Sequence, residues 1–397
     1  MIDFTTLNLS GKKVLLRLDI NLPIIDGEIK DKTRLKKSLP TLLQLLKQEA
    51  IIIILTHLGR PKGKIDLSLS VKPIFEALKE ELKNTKVSFA ENFDILENQI
   101  NGAKKGEIIL FENIRFFPEE EKGDDNFAKR LASFADIYIN DAFSCCHRAH
   151  ASISFINKYL DSAPGLLLRE EVRVLEHLMQ NPKKPFVGII GGSKVSTKIE
   201  LLKSLVTTLD VLIIGGAMAN TFFMAEGKNV GSSLVEPEFL SLAKEIQELA
   251  KKNNCNIVLP IDFVVATEIS ENVVTQYREI TEILPQEMML DIGDKTLEYY
   301  KNILKDAKTV IWNGPVGAYE FTPFANGSIT LAKIIAEYTK NNNLLSVAGG
   351  GDVVAAINKA NVAEEFSYIS TAGGAFLEWL EGKKLPGLEA FKENITQ

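Results

Sequence analysis

The chain has 397 residues, a length at which two hydrophobic cores are commoner than one, so we expect two domains. It is 45% hydrophobic and 25% charged with a net charge of −6, a globular composition whose acidic balance disfavours nucleic-acid binding. No signal-peptide core and no apolar run of about 18 residues is present, so we expect a cytoplasmic protein without a membrane span. Three cysteines make no disulfide framework and fit a reducing compartment.

Short apolar runs alternate with amphipathic helical segments along the chain. Strands are predicted at 14–18, 51–55, 107–111, 136–140, 186–190, 211–215, 256–260, 309–313 and 344–348. This alternation predicts an α/β protein with two doubly wound, Rossmann-like parallel-sheet domains. We place the domains at 1–168 and 186–375, joined by a helix and linker over 169–185.

The first strand, in KVLLRLDINLP, carries an unusual polar stripe. Arg17, Asp19 and Asn21 occupy every second position of an otherwise apolar run, so period two would place them on one face. A satisfied ion pair at a strand end would explain the stripe. So would a polar site at the carboxyl end of a parallel strand, where open α/β sheets bind ligands.

Cationic residues follow the other strands of the first half. The chain has nine arginines, and six of them lie in the first 150 positions. The residues that follow strands or open the first helix are Arg34, His57, Arg60, Arg115, His147, Arg148 and His150. Each alone could form a structural ion pair, but together they predict a site for a small polyanion, since arginine binds carboxylate and phosphate through two nitrogens.

The run CCHRAH raises the alternative of a zinc site. Adjacent cysteines rarely reach one tetrahedral ion, and Arg148 between the two histidines would repel a cation. We therefore expect Cys145 and Cys146 to pack as small apolar residues.

Glycine turns follow the strands of the second half. The runs are GGSKVSTKIE (191–200), GGAMANTF (215–222), NGPVGAYE (313–320) and AGGGDVV (348–354). Each reads as a strand, a turn and a helix start, which aims backbone amides at phosphate. Close strand–helix packing would explain any single pair of glycines, but four turns favour a nucleotide. Lys194 and Lys198, expected on one helical face, would supply charge, and Asp352 could hold Mg²⁺.

These segments resemble the motifs of the phosphoglycerate kinase family, in order and over nearly the whole length. The matching runs are KVLLRLDINLP, THLGRP, ENIRFFPEE, HRAHAS, GGSKVSTKIE, GGAMANTF, NGPVGAYE, AGGGD and STAGGA. The resemblance implies reversible phosphoryl transfer between 1,3-bisphosphoglycerate and ADP, giving 3-phosphoglycerate and ATP in glycolysis. It also implies a hinge-bending monomer that acts by in-line transfer on domain closure.

The resemblance also implies roles for individual residues. The phosphoglycerate would be bound by Asp19, Asn21, Arg34, His57, Arg60, Arg115 and Arg148. The nucleotide would be bound by Lys194, Lys198, Gly215, Gly216, Asn313, Glu320, Gly349, Gly350, Gly351, Asp352 and Val353, with Mg²⁺ on Asp352. Transfer itself would depend on Arg34, Lys198, Gly350 and Gly373. The tail, about 376–397, would return to the first domain.

Some positions depart from the family pattern, and other functions compete with this one. Val353 stands where a hydroxyl residue usually follows the metal aspartate, so one side-chain contact is in doubt while the backbone amide survives. A nicotinamide-dependent oxidoreductase would share the fold, but the chain lacks G-x-G-x-x-G. A non-catalytic binding module would keep the fold and lose the charged residues, which are present here.

Overall fold

The computed structural model describes residues 2–393, so Met1 and the last four residues of the predicted tail lie outside the described part. Contacts divide the chain into two compact units, one formed by residues 2–173 with 384–393 and the other by 174–383. No helix in residues 2–393 is both long and apolar enough to cross a bilayer.

The first unit alternates strands and helices. Its strands are β1 Lys13–Arg17, β2 Ile24–Ile25, β3 Glu28–Ile29, β4 Ile51–Leu55, β5 Val87–Ala90, β6 Ile108–Phe111, β7 Ile137–Asn140 and β8 Ser162–Pro164. Its helices are α1 Thr33–Lys47, α2 Lys72–Glu81, α3 Phe93–Gly102, α4 Pro118–Lys122, α5 Asp125–Ala132 and the start of α6 Leu166–Gln180. A further helix of this unit, Pro386–Glu393, comes from the end of the chain.

Six of these strands form one parallel sheet in the order β5-β6-β4-β1-β7-β8. Both faces of the sheet are covered, which explains the continuous apolar run of β4. Ile52 and Ile54 pack into the cluster on one face, and Ile53 and Leu55 into the cluster on the other. The sheet therefore has a core on each side, and its polar residues are left to the strand ends.

The second unit repeats this plan. Its strands are β9 Phe186–Ile190, β10 Val211–Ile214, β11 Asn256–Val258, β12 Asp262–Ala266, β13 Gln276–Glu279, β14 Met288–Ile292, β15 Thr309–Asn313, β16 Leu345–Gly349 and β17 Tyr368–Ser370. Its helices, after the end of α6, are α7 Ile199–Leu205, α8 Met218–Ala225, α9 Leu240–Lys252, α10 Asp294–Asp306, α11 Asn326–Asn342, α12 Gly351–Lys359 and α13 Gly374–Leu380; the terminal helix of the first unit is α14.

The main sheet of the second unit is parallel, in the order β11-β10-β9-β15-β16-β17. The doubly wound α/β fold predicted for both halves is thus confirmed. A second, antiparallel sheet in the order β13-β12-β14 was not anticipated.

The division by contacts differs from the predicted boundaries at the linker and at the start of the C-terminal tail. It falls inside α6, after residue 173, whereas we predicted that the first domain ends at 168. Residues 376–383, predicted to belong to the tail, lie in the second unit. The Ser204 hydroxyl donates to the Leu380 carbonyl at 2.7 Å, which ties this segment to α7. From residue 384 onward the described chain belongs to the first unit.

Candidate active site

The cationic residues of the first unit converge because their strands are neighbours. Strands β6, β4, β1 and β7 are adjacent and parallel, so the loops that follow them share one edge of the sheet. His57 follows β4, Arg115 follows β6, and Asp19 follows β1. This edge is where a doubly wound sheet offers a crevice to a ligand.

Asp19 is the acidic centre of this edge. One carboxylate oxygen, Oδ2, accepts from Arg34 Nη1 at 2.7 Å and from the hydroxyl of Ser144. Burial would raise the pKa of Asp19, but the cationic neighbours and the Ser144 hydroxyl outweigh burial and lower it. Since His57 is neutral near pH 7, we attribute the ionised state of Asp19 mainly to Arg34 and Ser144. Asp19 and Arg34 are 11% and 33% exposed, so this charged pair remains accessible to a ligand.

His57 lies beside Asp19 and is almost fully buried. Its Nε2 is 3.9 Å from Asp19 Oδ1, and its Nδ1 is 3.1 Å from Arg17 Nη2. Burial lowers the pKa of His57 well below its usual value, and the surrounding guanidiniums lower it further against the pull of Asp19. His57 is therefore a neutral hydrogen-bonding group rather than a cation.

Two other predicted residues are tied to the turn at Gly59. Asn21 Oδ1 accepts from the Gly59 amide at 3.0 Å, and Arg115 Nη1 donates to the Gly59 carbonyl at 2.9 Å. Arg60, the next residue, is exposed. The backbone at Gly59 has φ +60°, a left-handed conformation that suits glycine. The turn thus brings Asn21, Arg60 and Arg115 to the edge occupied by Asp19 and His57.

The structure corrects the predicted stripe at the first strand. Strand β1 ends at Arg17, so Asp19 and Asn21 lie in the following loop and do not share a strand face with it. Arg17 is fully buried, whereas Arg148, on the loop after β7, is exposed. Arg148 is close enough to His150 to contribute to the lowered pKa of that histidine, which is about 3 and is caused chiefly by burial.

The geometry around Cys145 suggests a cation site at first sight. Ligand atoms of Asp19, His57 and Cys145 lie within 4.8 Å of one another. However, Arg17 Nη2 is 3.9 Å from the Cys145 sulfur and donates to His57, and burial raises the pKa of the Cys145 thiol. A guanidinium in contact with two of the three groups opposes a metal ion. Both Cys145 and Cys146 are buried, as expected for small apolar residues.

Sequence reasoning missed the polar groups beneath this edge. Glu120 belongs to the acidic run PEEEKGDD (118–125), a charge pattern typical of solvent-exposed segments, yet it is completely buried in α4. Its carboxylate accepts from the Ser152 amide at 2.9 Å and from the Ser152 hydroxyl at 2.6 Å. No sequence signal distinguishes Glu120 from its acidic neighbours, but the arginine inside β1 indicates that a buried counter-charge is needed.

Glycines in the second unit let three loops pack closely. A Cβ atom at Gly191 would lie 1.9 Å from the Pro315 carbonyl oxygen. One at Gly216, whose φ is +65°, would lie 2.7 Å from the Gly192 carbonyl oxygen. The loops after β9, β10 and β15 therefore meet at the carboxyl edge of the sheet, with Gly215 at the end of β10.

Lys198 is partly buried among these loops. Its ammonium donates to the Gly191 carbonyl at 2.7 Å and to Asn313 Oδ1 at 2.6 Å. Burial lowers the pKa of Lys198 to about 8, although Asp352 acts to raise it. The predicted helical face shared with Lys194 is wrong, because α7 begins only at Ile199 and residues 194–198 form a turn. Lys194 is exposed.

A cleft of about 270 Å³ opens beside these loops. Its walls include Gly216, Glu320 and Asp352, and an apolar side that contains Phe263 and Leu290. The apolar wall comes from the β13-β12-β14 sheet, and we did not foresee it because no motif marks those strands.

Helix α12 begins at this edge. Gly350, with φ +106°, caps the helix, and the amides of Gly351, Asp352 and Val353 belong to its first turn, where backbone donors lack a helical acceptor. Asn313 Nδ2 donates to the Gly349 carbonyl at 2.5 Å, which connects this turn to the residue that holds Lys198. Gly373, with φ +52°, precedes α13 in the same way. A positive helix end beside the partly buried Lys198 suits a phosphate group.

A sequence model of the family described as phosphoglycerate kinase matches residues 4–383. The chain belongs to the phosphoglycerate kinase family. It is 46% identical over 398 residues to a phosphoglycerate kinase of Methylorubrum extorquens (strain PA1), covering 99% of each chain. A protein of that name from Xanthobacter flavus is also 46% identical, covering 99% of this chain and 100% of the other.

Solved structures agree with this membership of the phosphoglycerate kinase family. Phosphoglycerate kinase from Coxiella burnetii superposes with a TM-score of 0.89 at 39% identity over 98% of both chains. The enzyme from Pyrococcus horikoshii OT3 gives 0.86 at 28% identity over 100% of both. The resemblance seen in the motifs is therefore confirmed, and the chain is a phosphotransferase with a carboxyl group as acceptor (EC 2.7.2.3).

Proposed function

We propose that this enzyme transfers the phosphoryl group directly and in line between 1,3-bisphosphoglycerate and ADP when its two domains close. The observation that carries the proposal is that the two units present different sets of functional residues. The first unit gathers Asp19, Arg34, His57 and Arg115 at one sheet edge, and the second gathers glycine loops, Lys198 and the start of α12 at another. Direct transfer requires closure, which would also exclude water from the acyl phosphate.

The charges on the reacting groups explain why this chemistry needs no covalent nucleophile. An attacking ADP oxygen and a leaving carboxylate are both ionised, so no general base is required. A loose phosphoryl-transfer transition state spreads negative charge over three equatorial oxygens, and positioned cations and amides stabilise that charge.

We assign phosphoglycerate binding to the first unit. Arg34 and Arg115 would pair with anionic oxygens, while neutral His57 would donate a hydrogen bond from Nε2. Arg60 and Arg148, both exposed, would meet the parts of the ligand that face solvent. The full proposed set is Asp19, Asn21, Arg34, His57, Arg60, Arg115 and Arg148. Arginine suits this role because it binds carboxylate or phosphate through two parallel hydrogen bonds.

We assign nucleotide binding to the second unit. Gly215 and Gly216 would border the base, Glu320 would accept from the ribose, and Lys194 would meet a phosphate at the surface. The remaining proposed contacts are Lys198, Asn313, Gly349, Gly350, Gly351, Asp352 and Val353. For Val353 the contact would be its backbone amide, since the buried side chain cannot donate a hydrogen bond.

Four residues would act on the group in transfer. Lys198 and Arg34 would neutralise charge on the equatorial oxygens from the two units. The backbone at Gly350 and Gly373, which has positive φ, would bring amides close to the same oxygens. These interactions accelerate transfer only if they are stronger in the transition state than in the bound substrates.

Mg²⁺ would be held by Asp352. This exposed carboxylate lines the cleft and lies close enough to Lys198 to oppose the lowering of its pKa by burial, so it faces the predicted phosphate site. Within residues 2–393, no set of three potential metal ligands adjoins Asp352. The remaining ligands would be nucleotide oxygens and water, which is the usual way that Mg²⁺ binds to nucleotide enzymes. When bound, the ion would neutralise phosphate charge.

A monomer in the cytoplasm, with no nucleic-acid or membrane partner, completes the proposal. The net charge of −6 disfavours a nucleic-acid partner, and three free cysteines, all buried, fit a reducing compartment. The monomer is what the family resemblance implies.

The stereochemical course of transfer tests the mechanism. ATP made chiral at the γ-phosphorus with three oxygen isotopes would be incubated with 3-phosphoglycerate, and the configuration of the product would be determined. One in-line displacement predicts inversion. Retention would require an even number of displacements and would overturn direct transfer.

A further inference from the structure

Arg17 is a buried cation that no step above uses. It is 0% exposed at the end of β1, and each of its nitrogens has a partner. Nε donates to the Ser152 hydroxyl at 3.0 Å, Nη1 donates to the Leu18 carbonyl, and Nη2 is 3.1 Å from His57 Nδ1. The side chain is therefore fixed from three directions, and one of them is the imidazole at the predicted phosphoglycerate site.

The hydrogen bond between Arg17 and His57 has only one possible direction. A guanidinium has donors and no acceptor, so Nδ1 of His57 must accept the hydrogen bond. A neutral imidazole that accepts at Nδ1 carries its proton at Nε2. The Nε2 atom lies on the side of Asp19, 3.9 Å from Oδ1, where the ligand is expected.

We propose that Arg17 is a positioning residue that fixes His57 as the Nε2–H tautomer and so aims a permanent hydrogen-bond donor at the phosphoglycerate. The proposal deepens the assigned role of His57 and rests on it. Arg17 itself does not contact the ligand, since it is completely buried beneath the imidazole.

A second layer holds Arg17 in this position. The Ser152 hydroxyl, which accepts from Arg17 Nε, donates to Glu120 Oε1 at 2.6 Å. Glu120 is itself completely buried, and Arg17 is the charge that most strongly opposes the rise in its pKa that burial causes. Glu120 therefore compensates the buried guanidinium, so that Arg17 can present Nη2 to His57 without needing solvent.

The charges around His57 make this tautomer insensitive to pH. Arg17, Arg34 and Arg115 face the ring with positive charge, Asp19 faces it with negative charge, and the Cys145 sulfur lies nearby with a raised thiol pKa. Protonation at Nδ1 would place two N–H groups against each other. We therefore expect His57 to remain neutral through the range in which an ordinary histidine titrates.

Nuclear magnetic resonance of the ring nitrogens tests the proposal without substrate. Protein labelled with ¹⁵N at histidine would be recorded across pH 5.5 to 8, roughly the range of histidine titration, and His57 would be assigned from the spectrum of His57→Gln. We expect a protonated Nε2, an unprotonated Nδ1 and no titration. A proton on Nδ1, or a normal titration, would overturn the proposal whether or not any variant folds.

The variant Arg17→Gln tests the link to binding. We expect His57 to populate both tautomers and the Kd for 3-phosphoglycerate to rise about tenfold, as for one lost charge-assisted hydrogen bond, while the Kd for ADP stays unchanged. Tyr138→Phe is the matched control, because the Tyr138 hydroxyl donates to the Ser152 carbonyl in the same buried cluster and forms no hydrogen bond with Arg17 or His57. It should change Tm but neither the tautomer nor the Kd.

Three outcomes would contradict the positioning role. The control could shift the tautomer as much as Arg17→Gln does, or Arg17→Gln could scramble the tautomer without changing the Kd. In the third, folded Arg17→Gln would keep the tautomer. His57→Gln tests the assigned ligand contact separately. If this variant leaves the Kd for 3-phosphoglycerate unchanged while wild-type His57 keeps the Nε2–H tautomer, the ligand contact of His57 is wrong but the effect of Arg17 on the ring stands.

Discussion

Replacement of Lys198 by methionine removes a partly buried ammonium that we expect to meet the transferred phosphoryl group. Lys198 has a pKa of about 8 instead of 10.5, chiefly because it is buried. The difference of about 2.5 pH units corresponds to about 3 kcal/mol against the charged form in the free enzyme. Anionic phosphates beside the amine would reverse much of this penalty. Binding of nucleotide should therefore draw a proton onto Lys198.

The size of this uptake follows from the pKa. At pH 8 about half of the Lys198 side chains are neutral, so nucleotide binding should take up about 0.5 proton per site, whereas at pH 6.5 the uptake should be almost zero. Isothermal titration calorimetry of MgADP in buffers with different ionisation enthalpies measures this number. Lys198→Met should lose the uptake at pH 8. Lys203→Met, on α7 and paired with Glu245 at 2.8 Å, is the matched control and should retain it.

The same residue should govern turnover. We expect kcat of Lys198→Met to fall by about 10²–10³ with a smaller change in either KM, as when a transition-state contact is lost. In the wild type, kcat/KM should decline as the pH rises through about 8, because the free enzyme then loses the cation. Lys198→Arg should recover part of the activity and lose this decline, since arginine stays charged. An unchanged kcat in Lys198→Met, or equal proton uptake by wild type and variant at pH 8, would refute the reasoning.

Three further substitutions probe the two sheet edges. Asp19→Asn should weaken 3-phosphoglycerate binding but lower the free energy of unfolding by only about 1 kcal/mol, because its partner Arg34 is one-third exposed. Calorimetry measures the binding and thermal denaturation the stability, and a large loss of stability would favour a structural ion pair. Glu120→Ala should lower the free energy of unfolding, measured with urea, by about 3–5 kcal/mol because it leaves the buried Arg17 guanidinium without its counter-charge, whereas Glu119→Ala, on the same helix, should lower it by less than about 1 kcal/mol. Equal losses in the two variants would contradict the burial argument. Gly191→Ala should reduce soluble yield and Tm, since its Cβ would overlap the Pro315 carbonyl oxygen, while Gly102→Ala, whose Cβ meets nothing within 4 Å, should be tolerated. A fully stable Gly191→Ala would show that the loops can separate without loss of stability.

Strands with strong apolar patterns could be predicted from the sequence alone. The bounds 51–55, 186–190 and 309–313 agree with the structure because these central strands are buried on both faces and read as continuous apolar runs. Strand β13 could not be found in this way, since its residues QYRE are mostly exposed and polar. Strand β8 is a three-residue edge strand that contains proline, which usually argues against a strand.

The site could be predicted only where residue type carries the signal. Arginines and histidines after parallel strands indicated an anion site, because these residue types have few other roles at strand ends. Glycine pairs indicated loops that approach each other closely. Burial of Glu120 and the turn that holds Lys198 depend on tertiary packing. Nothing in the local sequence distinguishes Glu120 from Glu119, or a lysine that precedes α7 from one inside it.

The most direct test of the central claim is turnover with the two proposed substrates. Purified, folded protein would be incubated with 3-phosphoglycerate and MgATP, and formation of 1,3-bisphosphoglycerate would be followed by coupled reduction of the product with NADH. We predict saturable turnover that requires both substrates, stops when Mg²⁺ is chelated and resumes when it is restored. Absence of turnover from protein whose fold is verified by circular dichroism would contradict the account.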